Sequence, residues 1–344
     1  MATCPACGHV RPLAADIVKY RMLSEFDLIK QYFVRPAGSG QPRSVLGIGD
    51  DCALLAPAPG MQLAISSDML VEGRHFFEGE DARRLGHKSL AVNLSDLAAM
   101  GARPVAFTLA LALPAAQPDW LQGFSSGLFA LADAHGCELI GGDTTRGPLT
   151  ICITVFGEVA PGKSLRRDAA RPGDDIWVSG TLGDARLALA GFRLEHSLGA
   201  ELQHAAAQRM HLPTPRVALG VALADGGLAR AAIDISDGLG GDLRHILDRS
   251  GVGATLDVDA LPPGPVLAQQ AQSLRRAFTV AGGDDYELCF TADPAQRDAI
   301  AAAAARCGTP VTRVGRIDGD AGLRLVDANG MPLDLVLAGF DHFK

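Results

Sequence analysis

Four apolar, strand-like runs in this sequence each end in a glycine-rich turn that carries aspartate. The four turns are GIGDD (47–51), IGGDTT (140–145), DISDG (234–238) and AGGDD (281–285). Two further aspartates stand in ISSDM (Asp68) and NLSD (Asp96). Helical patterns alternate with the runs, and this alternation is typical of α/β folds. The sequence therefore predicts an α/β (α+β) chain whose strand ends carry the chemistry.

The length and the order of these elements predict two domains. The chain has 344 residues, about twice the length of a common domain. Apolar spacing predicts helices from Ser24 onward, over 83–100 and over about 118–135, with strands around them up to about residue 160. The pattern restarts at DDIWVSG. We expect an N-terminal extension over 1–21, a first domain over 22–160 and a second over 161–344.

The second half shows a similar mixture of strands and helices. Strands are predicted in AAIDIS, GATLDVDAL and YELCF, and helices over about 239–250, around PVLAQQAQSLRR and over 295–306. Asn329-Gly330, between LRLV and LDLVL, predicts a hairpin.

Composition and charge limit the kinds of partner. The net charge is −8, which disfavours nucleic acid and anionic membranes as partners. No apolar stretch of 18 residues predicts a membrane span, and no signal segment stands at the start, so we expect a cytoplasmic protein. Seven cysteines indicate no disulfide framework, and Cys4 and Cys7 with His9 are too few ligands for a structural zinc site without a second pair.

The aspartate-bearing turns together predict a magnesium–phosphate site. Any one such turn is more simply explained by local turn geometry, because aspartate and glycine are common turn residues. Two carboxylates about 4 Å apart repel by roughly 4 kcal/mol at an effective dielectric constant of 20, so a convergent set requires cations. Magnesium prefers carboxylate and phosphate oxygens. Backbone N–H groups at Gly141, Gly142, Gly282 and Gly283 are candidates to approach phosphate oxygens.

Other catalytic motifs have weaker support. GEVAPGKS (157–164) matches the phosphate-loop pattern, but a phosphate loop opens into a long helix, and here Pro172-Gly173 follows within nine residues of the motif. No G-x-S-x-G motif indicates a serine hydrolase.

Seven segments closely resemble the thiamine-monophosphate kinase family. They are GIGDDCALL, SSDMLVEGRHF, KSLAVNLSDLAAMGARP, LIGGDTTRGPL, AIDISDGLGGDL, GGDDYELCF and GFDHF, in the family's order over roughly 22–344. The resemblance implies a two-domain fold like that of aminoimidazole ribonucleotide synthetase, and a homodimer built on the N-terminal mixed sheet. It also implies transfer of a phosphoryl group from ATP to thiamine monophosphate, with several Mg²⁺ ions, giving thiamine diphosphate.

Motif positions then imply roles for individual residues. The implied metal ligands are Asp51, Ser66, Ser67, Asp68, Asp96, Asp143, Asp234 and Asp237. The implied ATP contacts are Gly142, Asp143, Arg167 and Ser236. The implied thiamine-phosphate contacts are His75, Asp284 and Phe340. Asp96, Asp143 and Asp237 are the expected catalytic residues.

Two positions depart from the family pattern. Asp284 stands where the family usually has glutamate and is one methylene shorter, and Phe340 replaces a more polar aromatic residue. The alternatives are another ATP-dependent enzyme of the same superfamily and a non-catalytic sensor of nucleotide or thiamine phosphate.

Overall fold

The computed structural model of the chain describes residues 24–35 and 44–335. Its helices are α1 (Glu25–Leu28), α2 (Ala82–Ala99), α3 (Pro118–His135), α4 (Asp184–Phe192), α5 (Ala200–His211), α6 (Val217–Asp225), α7 (Leu239–Ser250), α8 (Gln272–Ala281) and α9 (Arg297–Arg306). Its strands are β1 (Ser44–Leu46), β2 (Leu54–Leu55), β3 (Gln62–Val71), β4 (Arg103–Leu113), β5 (Glu138–Arg146), β6 (Thr150–Val159), β7 (Asp175–Ser179), β8 (Ala231–Asp234), β9 (Gly253–Asp257), β10 (Leu288–Ala292), β11 (Val311–Asp318) and β12 (Gly322–Val326). The predicted extension with Cys4 and Cys7, and Phe340, lie outside the described residues.

The first half contains the predicted mixed sheet, in the order β3–β6–β4–β5. Strands β4 and β5 are parallel, and the other two pairs are antiparallel. Leucines at helical spacing on α2, including Leu90 and Leu94, are fully buried. Helix α3 packs closely on α2 because Gly127 has no side chain, and a Cβ there would clash with the carbonyl oxygen of Arg83. The two helices were predicted with nearly these bounds.

The opposite face of this sheet, which we call the open face, carries exposed apolar side chains. Side chains alternate along a strand, so every second residue of β3 points away from α2. Leu63, Ile65 and Met69 belong to this set and are 38%, 60% and 54% exposed. The β1–β2 hairpin packs against one end of the face, where Leu55 and Phe156 contact the same small apolar cluster of Val105, Ala106 and Ile140. A large apolar area on a sheet face is typical of an interaction surface.

The second half forms a six-stranded sheet in the order β12–β9–β11–β7–β10–β8. Only the β9–β12 pair is parallel. Helix α7 contributes Leu243 and Ile246 to a core that also contains Ile176 and Val178 from β7. The α/β character of both halves is therefore confirmed.

Helix α2 lies between the two halves. Helix α6 from the second half crosses it closely, since a Cβ at Gly220 would clash with the carbonyl oxygen of Ala98. Strand β8 also lies beside α2. Residues on this one helix can therefore contact groups from both parts of the chain.

The structure differs from the sequence predictions in several segments. Helices α4, α5 and α6 and strand β11 were not predicted. The predicted helix around PVLAQQAQSLRR is broken, with a 3₁₀ turn at Leu267–Gln269 before α8 begins. The predicted 295–306 helix starts as a 3₁₀ turn (Pro294–Gln296). A hairpin was predicted at Asn329-Gly330. In the described residues after this turn, its second strand is represented by one antiparallel β-bridge, between Val326 and Pro332.

Two motif placements are also corrected. IGGDTT lies inside β5, and AGGDD lies between α8 and β10, so neither follows the end of a strand. The phosphate-loop lookalike ends β6 and leads into turns, with no helix over 160–174, which agrees with its rejection. No helix among the described residues is long and apolar enough to span a membrane.

Candidate active site

Predicted acidic residues from both halves of the chain converge beside α2. Burial is the main reason that the pKa of Asp68 is raised to about 6, and the negative charges of Asp96 and Asp237 contribute to that rise. Burial, together with the negative charges of Asp96 and Asp68, raises the pKa of Asp234 to about 8, although the hydrogen bond from Ser95 opposes this rise. We call Asp68, Asp96, Asp234 and Asp237 the acid cluster. Their mutual repulsion shows that the structure brings these four predicted residues together.

Hydroxyl and amide side chains hold the acid cluster in place. Ser66 Oγ donates a hydrogen bond of 2.5 Å to Asp96 Oδ2, and Ser95 Oγ donates one of 2.7 Å to Asp234 Oδ2. Asn93 Oδ1 accepts a bond of 3.1 Å from the backbone N–H of Asp68. The segment VNLSD of α2 thus positions carboxylates on β3, on β8 and on α2 itself.

A further carboxylate, Asp242, supports the turn that carries Asp237. Its Oδ2 accepts backbone N–H bonds from Ser236, Asp237 and Gly238, at 3.1, 3.2 and 3.2 Å. Burial and the charge of Asp237 raise the pKa of Asp242 to about 7. Asp242 is not among the predicted site residues, although an aspartate in the first helical turn after DISDG is a signal for such a role.

One cavity, of about 380 Å³, opens beside Asp237. Four other predicted residues line it: His75, Ser236, Gly283 and Asp284. Aromatic and cationic residues that were not predicted complete its wall: Phe77, Arg84, Lys88, Arg186, Arg193 and Tyr286. We call this space the first cavity. It combines a polar end near the acid cluster with aromatic side chains suitable for an organic ring.

Asp284 occupies a constrained position in the first cavity. Its backbone is left-handed (φ 65°), as is that of Tyr286 (φ 49°), which is uncommon for residues other than glycine. The Asp284 N–H donates to Ser236 O at 2.8 Å, and the Tyr286 hydroxyl donates to Asp284 Oδ1 at 3.2 Å. Lys88 Nζ lies 3.1 Å from Asp284 Oδ2. The carboxylate is therefore held from several directions.

A second cavity, of about 400 Å³, opens on another side of the cluster. Ser66 and Asp96 line it together with Arg166, Arg167, Asp168 and Arg249. Burial raises the pKa of Asp96, while the Ser66 hydrogen bond and the positive charge of Arg167 oppose that rise. The predicted ATP contact Arg167 thus lies near the acid cluster, in a cavity with several arginines.

Three further predicted residues, Ser67, Asp143 and Asp51, lie on the open face or in its hairpin. Asp143 pairs with Ala110 in the parallel ladder between β5 and β4, and both residues are exposed. Ser67 points to the open face, where its Oγ lies 3.0 Å from Thr154 Oγ1. Gly142 adjoins Asp143 on β5, and Asp51 lies in the β1–β2 hairpin. Strand alternation separates Ser67 from Ser66 and Asp68, so a single subunit does not gather the whole predicted set.

The acid cluster by itself does not form a complete metal-binding site. Within residues 24–35 and 44–335, no three Asp, Glu, His or Cys side chains lie close enough together to hold a metal ion. The donor chemistry nevertheless suits a hard divalent cation, because buried carboxylates and a serine hydroxyl supply only oxygen atoms. Additional oxygen ligands would have to come from bound phosphates or water.

Comparisons with known proteins agree with this geometry. Residues 49–159 match the family model for the AIR synthase related protein, N-terminal domain, and residues 171–328 match that for its C-terminal domain. The chain is 47% identical over 324 residues to thiamine-monophosphate kinase of Salmonella typhimurium, covering 93% of this chain and 98% of the relative.

Solved structures give the same result. The crystal structure of thiamine-monophosphate kinase from Stenotrophomonas maltophilia K279a is 48% identical, with a TM-score of 0.78 over 85% of this chain and 92% of that one. The structure of AaThiL complexed with AMPPCP and TMP is 28% identical, with a TM-score of 0.72 over 84% of this chain and 89% of that one.

Proposed function

The chain belongs to the thiamine-monophosphate kinase family, and we propose that it transfers the γ-phosphoryl group of ATP to the phosphate of thiamine monophosphate. The products are thiamine diphosphate and ADP. The observation that carries this proposal is the position of the acid cluster between two cavities, with Asp237 lining the first and Asp96 lining the second. Two phosphates, one entering from each cavity, would meet at the cluster.

We assign ATP to the second cavity and thiamine monophosphate to the first. The arginines of the second cavity, Arg167 among them, suit a polyphosphate chain. The first cavity offers aromatic side chains for the thiamine rings and carries His75 and Asp284. Ser236 and Asp237 line the first cavity at the cluster end, where the substrate phosphate would lie. The ligands of AaThiL, AMPPCP and TMP, are consistent with two such substrates.

We propose Mg²⁺ as the cation that the acid cluster holds. Asp68, Asp96, Asp234 and Asp237 would be its ligands, with Ser66 beside them. Burial first, and then mutual repulsion, raise the pKa values of Asp68 (about 6) and Asp234 (about 8), so a bound cation would displace protons from these carboxyls. Bound magnesium would neutralise charge on the transferring phosphoryl group.

The protein residues in this proposal position groups and exclude water. The acceptor is a phosphate oxygen of the substrate, already anionic, so no serine, cysteine or histidine nucleophile is required and no phosphoenzyme forms. Asp284 and the aromatic side chains orient the thiamine rings, while Arg167 orients the donor phosphates. Ser66, Asn93 and Ser95 keep the carboxylates fixed during the transfer.

We further propose that the enzyme is a homodimer joined through the open face. Leu63, Ile65 and Met69 would be buried there by a second copy of the sheet. Asp143, with Gly142 beside it, lies on edge strand β5, at the opposite side of the sheet from β3, so a dimer that places β5 beside the partner's β3 would bring these residues to the partner's acid cluster. Because ATP is the donor, we expect the enzyme to work in the cytoplasm, with a domain division near residue 160.

A direct assay tests the proposed function. Purified protein is incubated with ATP, Mg²⁺ and thiamine monophosphate, and the products are separated by chromatography. We expect thiamine diphosphate and ADP in equal amounts, with no product when Mg²⁺ is chelated. Free thiamine serves as the control acceptor and should give no thiamine diphosphate. Formation of thiamine diphosphate from free thiamine would instead indicate a pyrophosphokinase, and absence of product from the phosphate ester would overturn the proposal.

A further inference from the structure

Lys88 is a buried cation in the wall of the first cavity. It lies on α2, only 5% exposed, one helical turn after Arg84, which lines the same cavity. Its Nζ lies 3.1 Å from Asp284 Oδ2, across the gap between the two halves of the chain. A buried ammonium group is costly unless an anion compensates it, so Lys88 depends on whatever negative charge is present in the cavity.

Asp284 also has contacts that do not involve Lys88. Its left-handed backbone and its N–H bond to Ser236 O fix the main chain, and the Tyr286 hydroxyl donates to the carboxylate. Lys88 therefore is the longer and more adaptable partner of this ion pair. Its flexible four-carbon stem allows the ammonium to turn toward a second anion near Ser236 and Asp237 without moving the carboxylate.

The charges of this pair match those of the proposed substrate. Thiamine monophosphate carries a cationic thiazolium ring and an anionic phosphate, joined by a two-carbon arm. Lys88 and Asp284 present one positive and one negative group side by side in the cavity assigned to that substrate. A ligand with both charges can satisfy both residues, whereas a ligand with one charge leaves a buried group without compensation.

We infer that Lys88 is a specificity-determining residue that binds the phosphate of thiamine monophosphate, exchanging its ion pair with Asp284 for one with the substrate. Asp284 then faces the thiazolium cation. This inference rests on the proposed function. Lys88 would then discriminate between thiamine monophosphate and unphosphorylated thiamine, because only the former has a phosphate. Asp284 would bind the thiazolium ring, which both compounds contain.

Equilibrium binding without ATP or magnesium tests the exchange, because no turnover occurs. Dissociation constants for thiamine monophosphate and thiamine are measured by calorimetry for the wild type and for Lys88→Gln. We expect Lys88→Gln to weaken binding of the phosphate ester about tenfold or more, and that of thiamine less than about threefold. Lys88→Arg should restore much of the preference, since it keeps the charge.

Two variants separate phosphate binding from general effects. Arg84→Gln removes the same charge from the same helix one turn away and should keep the preference for the phosphate ester. Asp284→Asn should weaken binding of both ligands. The ratio of the affinity for thiamine monophosphate to that for thiamine should stay at or above the wild-type value. Where Lys88→Gln does not fold, the double variant Lys88→Gln/Asp284→Asn removes both buried charges. It should show a lower ratio of thiamine monophosphate affinity to thiamine affinity than the wild type.

The outcomes distinguish this inference from the proposed function. Equal loss of affinity for both ligands in Lys88→Gln, or no loss for either, would overturn the role of Lys88, as would an unchanged ratio in the double variant. Wild-type protein that forms thiamine diphosphate while giving those results would leave the proposed function intact. Wild-type protein that forms none would remove the proposed function, whatever the binding ratios.

Discussion

Ser95 Oγ donates a 2.7 Å hydrogen bond to Asp234 Oδ2, and this contact joins α2 of the first half to β8 of the second. Both residues are buried. The next residue on the helix, Asp96, contributes to the acid cluster and accepts a bond from Ser66. One short segment of α2 thus connects the two halves and orients carboxylates from each, so disturbing it should affect both stability and activity.

Ser95→Ala should destabilise the protein by about 1–3 kcal/mol, because the buried Asp234 carboxylate loses its donor. Urea unfolding at pH 8.5 without magnesium measures the change. Ser89→Ala is the matched control: Ser89 is also buried on α2, but its hydroxyl bonds only to Leu85 O within the helix. The control should lose about 0.5 kcal/mol or less. Equal losses in the two variants would contradict a special role for the Ser95 contact.

The pKa values in the acid cluster predict how stability depends on pH. Asp68 (about 6) and Asp234 (about 8) titrate above the value near 3.9 of an unfolded aspartate. The folded protein therefore holds these protons more tightly, and its free energy of unfolding falls as pH rises from about 4 to about 8. The loss is at most about 1.4 kcal/mol per pH unit for each carboxyl.

Urea unfolding of magnesium-free protein at pH 5 and pH 8.5 measures this effect. Asp234→Asn keeps an acceptor for Ser95 but removes one titrating group, so it should lose less stability than the wild type over the same interval. Magnesium should restore stability mainly at the higher pH, where the carboxylates are charged. Wild-type stability that rises from pH 5 to pH 8.5 without magnesium, or an equal slope in Asp234→Asn, would contradict the assignment.

The parts of the fold that sequence could predict are those with local signals. Helices α2 and α3 have regular leucine spacing and end near Gly101 and Gly136, which adopt left-handed conformations. The missed helices α4 to α6 are rich in alanine, and their burial depends on tertiary packing, of α4 against α5 and of α6 against α2. Their apolar residues do not follow a clear helical spacing in the sequence, so the sequence alone did not predict them.

The candidate site shows the same limit. Motif residues such as Asp68 and Asp96 were found because their segments are distinctive, whereas Lys88 was missed because its partner, Asp284, is 196 residues away along the chain. Adjacent residues can also separate in space. Ser66 and Ser67 point to opposite faces of the sheet, since side chains alternate along β3. The sequence therefore predicted the chemistry of the site better than its arrangement.

Ile65→Asp should convert the proposed dimer into monomers. Ile65 is 60% exposed on the open face, and an aspartate there would bring an unpaired charge into the interface. Sedimentation analysis of wild type and variant at the same concentration measures the change. Leu194→Asp is the control, because Leu194 is 91% exposed beside α4 in the second half. A monomeric wild type, or dissociation in both variants, would contradict the open face as the dimer interface.

Asp68→Ala and Asp143→Ala test whether each active site uses residues from two subunits. Each variant alone should lose nearly all turnover and unfold at a denaturant concentration close to that of the wild type. Asp68 lies on β3 and Asp143 on β5, the two opposite edge strands of the four-stranded sheet, so the proposed dimer, with β5 of one sheet beside β3 of the other, would combine Asp68 of one subunit with Asp143 of its partner. A mixed dimer then contains one intact site and one site that lacks both residues. Unfolding the two variants together and refolding them should recover about one quarter of the wild-type rate. Mixing Asp68→Ala with Asp96→Ala is the control, since both residues belong to one cluster and no intact site can form. No recovery in the first mixture would contradict a shared site.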